Sequence, residues 1–255
     1  MLRALQKDEM MFESLGQNLR VVVVGASGGI GAALVDRLVS SSQVARVHSL
    51  SRQGKSHPSP KVSNLTFDFT NEASIEAAAQ ALAEVGPLDV VIVATGLLQG
   101  GGIAPEKNLR ALSIKGFEQS FLINTIGPAM TARYFLPLMR RDGKAVFAAL
   151  SARVGSISDN RMGGWYAYRS SKAALNMVIK TLSIEMGRRF KELVIVGLHP
   201  GTVDTSLSKP FQGNVPEGKL FTPEFSAEKL LDVIDQVTPG DSGSLLDWQG
   251  QTVTP

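Results

Sequence analysis

Short apolar runs rich in β-branched residues recur along this chain, separated by helix-length segments, and that alternation restricts the fold more than any other property of the sequence. Leu19–Val24, Val44–Leu50, Val62–Phe67, Leu88–Val93, Ala145–Leu150, Leu193–Leu198 and Ser244–Asp247 read as strands. Stretches between them, such as Gly31–Ser41 and Asn71–Val85, read as helices. Nearly continuous apolar strands fit a parallel sheet whose two faces are both covered by helices. The expected fold class is therefore α/β, with a doubly wound sheet of about seven parallel strands.

A chain of 255 residues with 44% hydrophobic content can bury a sizeable core. No linker, repeat or charge block divides it, so residues 19–255 are expected to form one domain, with residues 1–18 as an N-terminal extension. Two Gly/Pro-bearing stretches, 96–116 and 207–224, are longer than ordinary connections and are expected to serve the site. The absence of cysteine excludes disulfides and thiolate chemistry, and His48, His57 and His199 show no metal-ligand spacing, so no metal is expected. The net charge is +3, with Arg140–Arg141 and Arg188–Arg189 at apparent helix ends, which gives no basic surface for nucleic acid. No stretch is apolar for long enough to span a membrane, and Asp8, Glu9 and Glu13 argue against a leader. A cytoplasmic location is expected.

Two motifs carry chemistry. The first strand runs into VVVVGASGGIG (21–31), where Gly25-x-x-x-Gly29-x-Gly31 is followed at once by a helical pattern. A strand, a glycine turn and a helix N-terminus together present backbone N–H groups to a phosphate, and side chains at the glycines would block the approach. The second motif is YAYRSSKAALN (166–176). Of the three tyrosines only Tyr168 is followed four residues later by a lysine, Lys172, which puts both on one helix face. A phenol ionises near pH ~10, and a neighbouring ammonium favours its phenolate, so the pair reads as an acid–base device.

GxxxGxG after the first strand, with Tyr-x-x-x-Lys far downstream, resembles the short-chain dehydrogenase/reductase family. SARVGSISDNRMGGWYAYRSSKAALN (151–176) and LHPGTVDTSLSKPF (198–211) look like its C-factor and sniffer-type carbonyl reductases. The resemblance runs from about residue 19 to the end and implies a single Rossmann-type domain. It also implies hydride transfer between a nicotinamide and a carbonyl or alcohol carbon, and a homodimer or homotetramer. Tyr168 would donate the proton, Lys172 would lower the Tyr168 pKa and hold the nicotinamide ribose, and Asn124 in FLINTIGPAM would hold a water. The cofactor would lie along Gly25, Ser27, Gly29, Ile30 and Gly31, beside Ser51, Arg52, Asp68 and Phe69. It would then pass Ala94, Thr95 and Gly96 in VIVATG, which replaces the family's NNAG, to reach Pro200, Gly201, Val203 and Thr205. Asp68 reads equally as the N-cap of the next helix.

Ser51 stands where family members selective for NAD carry aspartate, and Arg52 follows it, so NADP(H) is expected over NAD(H). The family's catalytic serine precedes a glycine by three positions, but three before Gly155 stands Ala152. Ser151 is the expected substitute, with Ser156 as the other choice. On an extended strand Ser151 points to the side opposite Ala152. Leu97, Leu98, Trp165, Phe211 and Phe221 are candidates for an apolar substrate pocket. The alternative to an enzyme is an NADP(H)-binding regulatory protein with little or no turnover. A sugar-nucleotide epimerase would need more chain after Thr205 than is present.

Overall fold

The structure is a computed structural model that describes residues 11–54 and 56–255. Strands β1 (Leu19–Val24), β2 (Val44–Ser51), β3 (Val62–Thr66), β4 (Val90–Val93), β5 (Ala145–Leu150) and β6 (Leu193–His199) appear in chain order. The short β7 (Thr202–Val203) and β8 (Leu220–Phe221) form a separate pair, and β9 (Leu245–Asp247) is last. The seven long-sheet strands run in the order β3-β2-β1-β4-β5-β6-β9, every pair parallel. All seven strands expected from the sequence are in that sheet. The order reverses between β1 and β4, and a ligand in such a sheet binds outside the strand ends at that switch point.

Helices α1 (Gly29–Val39), α2 (Glu72–Glu84), α3 (Ile114–Phe121), α4 (Gly127–Phe135), α5 (Tyr166–Gly187) and α6 (Pro223–Gln236) cover the sheet. Alternation along each strand divides the core in two. Val21 and Val23, with Val90 and Ile92, join the layer that holds Leu34, Leu38, Leu230 and Ile234 of α1 and α6. Val22 and Val24, with Val91 and Val93, face Leu82, Phe135 and Leu175 of α2, α4 and α5. Helix starts follow local chemistry: Asn71 accepts the Ala73 N–H at 3.1 Å to cap α2, and Thr222 accepts the Phe225 N–H at 3.1 Å to cap α6, with Pro223 at the first position. A π turn at Leu122–Ile126 joins α3 to α4. Among the described residues no helix is long and apolar enough to cross a membrane.

Of the expected N-terminal extension, residues 11–18 pack against the sheet; residues 1–10 lie outside the described residues. Phe12 is fully buried and Leu15 nearly so, in the same layer as β1. Gln43 accepts the Phe12 N–H at 2.9 Å, and Asp235 accepts the N–H groups of Glu13 and Ser14. This segment is part of the domain. The reading from sequence stopped at the first strand because one aromatic and one leucine carry no periodicity.

Candidate active site

The glycine turn is shaped by close approaches. Gly25 has φ +85°, and a β-carbon on it would lie 2.8 Å from Thr95 Cγ2 and 3.1 Å from the Ala94 backbone. A β-carbon on Gly31 would collide with the Gly25 carbonyl oxygen, and one on Gly29 would lie 2.7 Å from Thr205 Cγ2. The turn thus touches the end of β4 and the segment after β6. Gly28 begins α1 with no side-chain cap, which leaves the first-turn N–H groups for an anion. Ser27 is exposed beside them, while Ile30 packs on the core.

At the strand ends, the hydroxyls of Ser51 and Thr95 are buried without a partner among the described residues, and Arg52 is exposed next to Ser51. Asp68 Oδ1 accepts both the Thr70 N–H and the Thr70 hydroxyl at 2.9 Å, so Asn71, not Asp68, caps α2. Phe69 lies flat enough on Gly127 that a β-carbon there would strike its ring. Gly96 faces Leu207, and Gly201, at φ +78°, leaves room for the Phe221 ring. The Pro200 carbonyl accepts the Ser226 hydroxyl at 3.1 Å, Val203 is buried, and Thr205 closes over Gly29. These orphaned hydroxyls, the uncapped α1 turn and the glycine cradle fit a dinucleotide.

Tyr168 and Lys172 lie one turn apart on α5, both buried, with Lys172 Nζ 5.9 Å from the centre of the Tyr168 ring. Burial pushes the Tyr168 phenol up to about 12 and the Lys172 ammonium down to about 7. In this arrangement burial, rather than the lowering expected from Lys172, sets the direction for Tyr168. Lys172 donates to the Leu150 carbonyl oxygen at 2.7 Å rather than to the phenol, and its own charge is disfavoured by the same burial.

Asn124 sits in the π turn with its amide fully engaged. Its Oδ1 accepts the Leu97 N–H at 2.8 Å, and its Nδ2 donates to the Leu97 carbonyl at 2.8 Å and to Ser171 Oγ at 3.0 Å. Both amide hydrogens are used, so its side chain pins the backbone after β4. Ser151 donates to Asn176 Oδ1 at 2.7 Å, two turns beyond Tyr168, and Ser156 Oγ accepts the Asp159 N–H at 3.1 Å. The residue packed against Tyr168 is Ala152. The Ser151 hydroxyl, expected to serve the reaction, is thus bonded to Asn176 in this structure.

Leu98, Ala152 and Tyr168 form a small apolar cluster with Val154, Trp165, Leu207 and Phe211. The Trp165 ring centre is 6.3 Å from that of Tyr168 and 5.0 Å from that of Phe211. Of the five pocket candidates, Leu98, Trp165 and Phe211 come together here. Phe221 packs on Phe225 and Trp248 instead, and Leu97 contributes its backbone to Asn124. Val154 and Leu207 were not singled out from sequence; they lie one or two residues from motif positions, in segments without periodicity.

The model of the family described as short chain dehydrogenase matches residues 20–215, spanning the glycine turn, Asn124, Tyr168 and Lys172. The chain belongs to that family. This short chain dehydrogenase is 36% identical over 168 residues to the C-signal protein of Myxococcus xanthus, covering 66% of this chain and 93% of that one. It is also 36% identical over 177 residues to 1-hydroxy-2-glutathionyl-2-methyl-3-butene dehydrogenase of a Rhodococcus species, covering 69% and 73%. Its fold is similar to that of NADPH bound carbonyl reductase from chicken fatty liver, with a TM-score of 0.82, 25% identity, and coverage of 96% and 98%. As a short chain dehydrogenase it is an oxidoreductase of the carbonyl reductase-like branch.

Proposed function

We propose that this chain transfers a hydride between NADP(H) and the carbonyl or alcohol carbon of a small apolar substrate. One observation carries the reading: Tyr168, the one hydroxyl in an otherwise apolar cluster, shares a helix face with Lys172 at the strand ends beside the glycine turn. NADPH, when bound, supplies the hydride. Tyr168, held protonated through neutral pH, gives its proton to the carbonyl oxygen as the carbonyl is reduced. Lys172 would hold the nicotinamide ribose. Asn124 fixes the backbone at Leu97, along which the substrate lies.

NADP(H) over NAD(H) is supported by Ser51 and exposed Arg52, with no carboxylate to repel a 2′-phosphate, and by the NADPH in the chicken carbonyl reductase. A homodimer or homotetramer is part of the same reading, supported by exposed Met177 and Ile184 on α5. So is the cytoplasm, which suits a chain with no cysteine to oxidise. A regulatory reading draws on Ala152, which leaves Tyr168 without a second hydroxyl.

The deciding experiment is consumption of NADPH and NADH against a panel of aldehydes, ketones and quinones, with both cofactor affinities measured by calorimetry at moderate salt. NADPH is expected to bind at least tenfold tighter, roughly 1.4 kcal/mol, and Ser51→Asp with Arg52→Ala to reverse the preference. Equal affinities would overturn the cofactor assignment. Tight NADPH binding with no turnover on any carbonyl would replace the enzyme by the regulatory protein.

A further inference from the structure

We propose that Glu106 is a positioning residue for the site, capping the first turn of α5 from a distant part of the chain. Helix α5 begins with no side-chain cap of its own: its N-cap, Trp165, is in the left-handed region at φ +52°, and its side chain belongs to the apolar cluster around Tyr168. Glu106 supplies what is missing. Its carbonyl oxygen accepts the Trp165 N–H at 2.6 Å, and its Oε2 accepts the Ala167 N–H at 3.3 Å. Its Oε1 lies over Gly116 in the first turn of α3, where an added β-carbon would come within 3.4 Å of it.

Glu106 is only 5% exposed and has no cationic partner among the described residues. A buried carboxylate without a cation is costly, and helix N-termini are the backbone's substitute for one. Here the first turn of α5 fills that role. The nearby Arg169 is spent on carbonyls, those of Gly163, Gly164 and Val154 at 3.1–3.2 Å, and so holds the approach to α5 from its other side. Asn124 fixes the segment 96–116 at Leu97 and Glu106 fixes it nine residues later, so Leu98 is held between two anchors beside Tyr168. Glu106 meets the cluster at the backbone N–H of Trp165. It acts through Trp165 and the α5 turn that bears Tyr168.

The activity part of the test rests on the proposed carbonyl reduction; amide exchange does not. Glu106→Ala, Glu106→Asp and Glu106→Gln are compared in the full chain, the last keeping an acceptor of the same reach. For Glu106→Ala, exchange of the 163–168 backbone amides is expected to accelerate at least tenfold, and kcat/KM to fall at least tenfold with the NADPH Kd within twofold. Trp165 emission, read in a Trp248→Phe background, is expected to shift. Glu106→Gln is expected to stay within threefold of the parent in every readout. If Glu106→Ala does not fold, Glu106→Asp, which falls one methylene short of Ala167, is expected to show the same losses. Unchanged 163–168 exchange in a folded Ala or Asp variant overturns the proposal, as does a Gln variant as impaired as Ala. A parent that reduces no carbonyl refutes the proposed function alone, and exchange still decides the role of Glu106.

Discussion

Lys172 Nζ donates to the carbonyl oxygen of Leu150 at 2.7 Å, tying the middle of the first half of α5 to the last residue of β5. The bond holds a buried amine at the strand ends with a carbonyl and a tyrosine ring as its polar surroundings. It sets the geometry on which the following predictions rest.

Replacing Tyr168 by phenylalanine removes the proton donor while the ring keeps its place against Ala152 and Trp165. Turnover is expected to fall at least 100-fold with the NADPH Kd within threefold. Steady-state rates and calorimetry on the same preparation check it, and turnover within threefold of the parent refutes the assignment.

Lys172 makes stability depend on pH in a definite direction. Its folded pKa is about 7 against 10.5 ordinarily, so between these values the unfolded chain carries a proton that the folded chain lacks. Folding is penalised below pH 7, and the penalty disappears as pH rises toward 10.5. Relative to Lys172→Met, the parent is expected to gain stability steadily from pH 6.5 to 9.5, by on the order of a few kcal/mol. Thermal unfolding of both proteins across that range is the check; a constant difference contradicts a buried amine.

Ala152 occupies the wall beside Tyr168, so Ala152→Ser places a hydroxyl where the carbonyl oxygen is received. Turnover of a small ketone is expected to rise at least fivefold, a part of the roughly 3–4 kcal/mol that such a donor supplies elsewhere. Ser151→Ala and Ser156→Ala are expected to stay within threefold, because those hydroxyls serve Asn176 and Asp159. A Ser151→Ala variant with tenfold lower turnover and unchanged melting would restore Ser151 to the site.

Phe12 is fully buried in the layer under β1. Phe12→Ala is expected to cost about 3–5 kcal/mol, read from urea unfolding midpoints at constant slope. A loss below about 1 kcal/mol would mean that the N-terminal segment is not part of the core.

Much of this architecture was legible because parallel strands announce themselves. Runs such as VVIV at 90–93 are buried on both faces and need apolar residues at every position. The glycine turn was legible for a related reason, since Gly25, Gly29 and Gly31 each meet backbone or a side chain that a β-carbon would strike. Residues that act through their environment were harder to read. The Tyr168 and Lys172 pKa values depend on burial, which a four-residue spacing does not report, and the saturation of Asn124 depends on Leu97 and Ser171, 27 and 47 residues away. The bond from Ser151 to Asn176 spans 25 residues and is equally silent in the sequence, and Glu106 gave no signal because its partners are backbone amides.

The interior place of β1 has a consequence for the chain as it is made. Val21 to Val24 pair with β2 on one side and, on the other, with Val90 to Val93 of β4, made about 70 residues later. At 5–20 residues per second, synthesis leaves that second edge bare for roughly 4–14 s. The four valines of β1, with only Arg20 before them as a charge in the strand, present an open edge that is a template for another copy of itself. The strand at the centre of the finished sheet is thus a hazard while the chain is being made, until β4 arrives to close it.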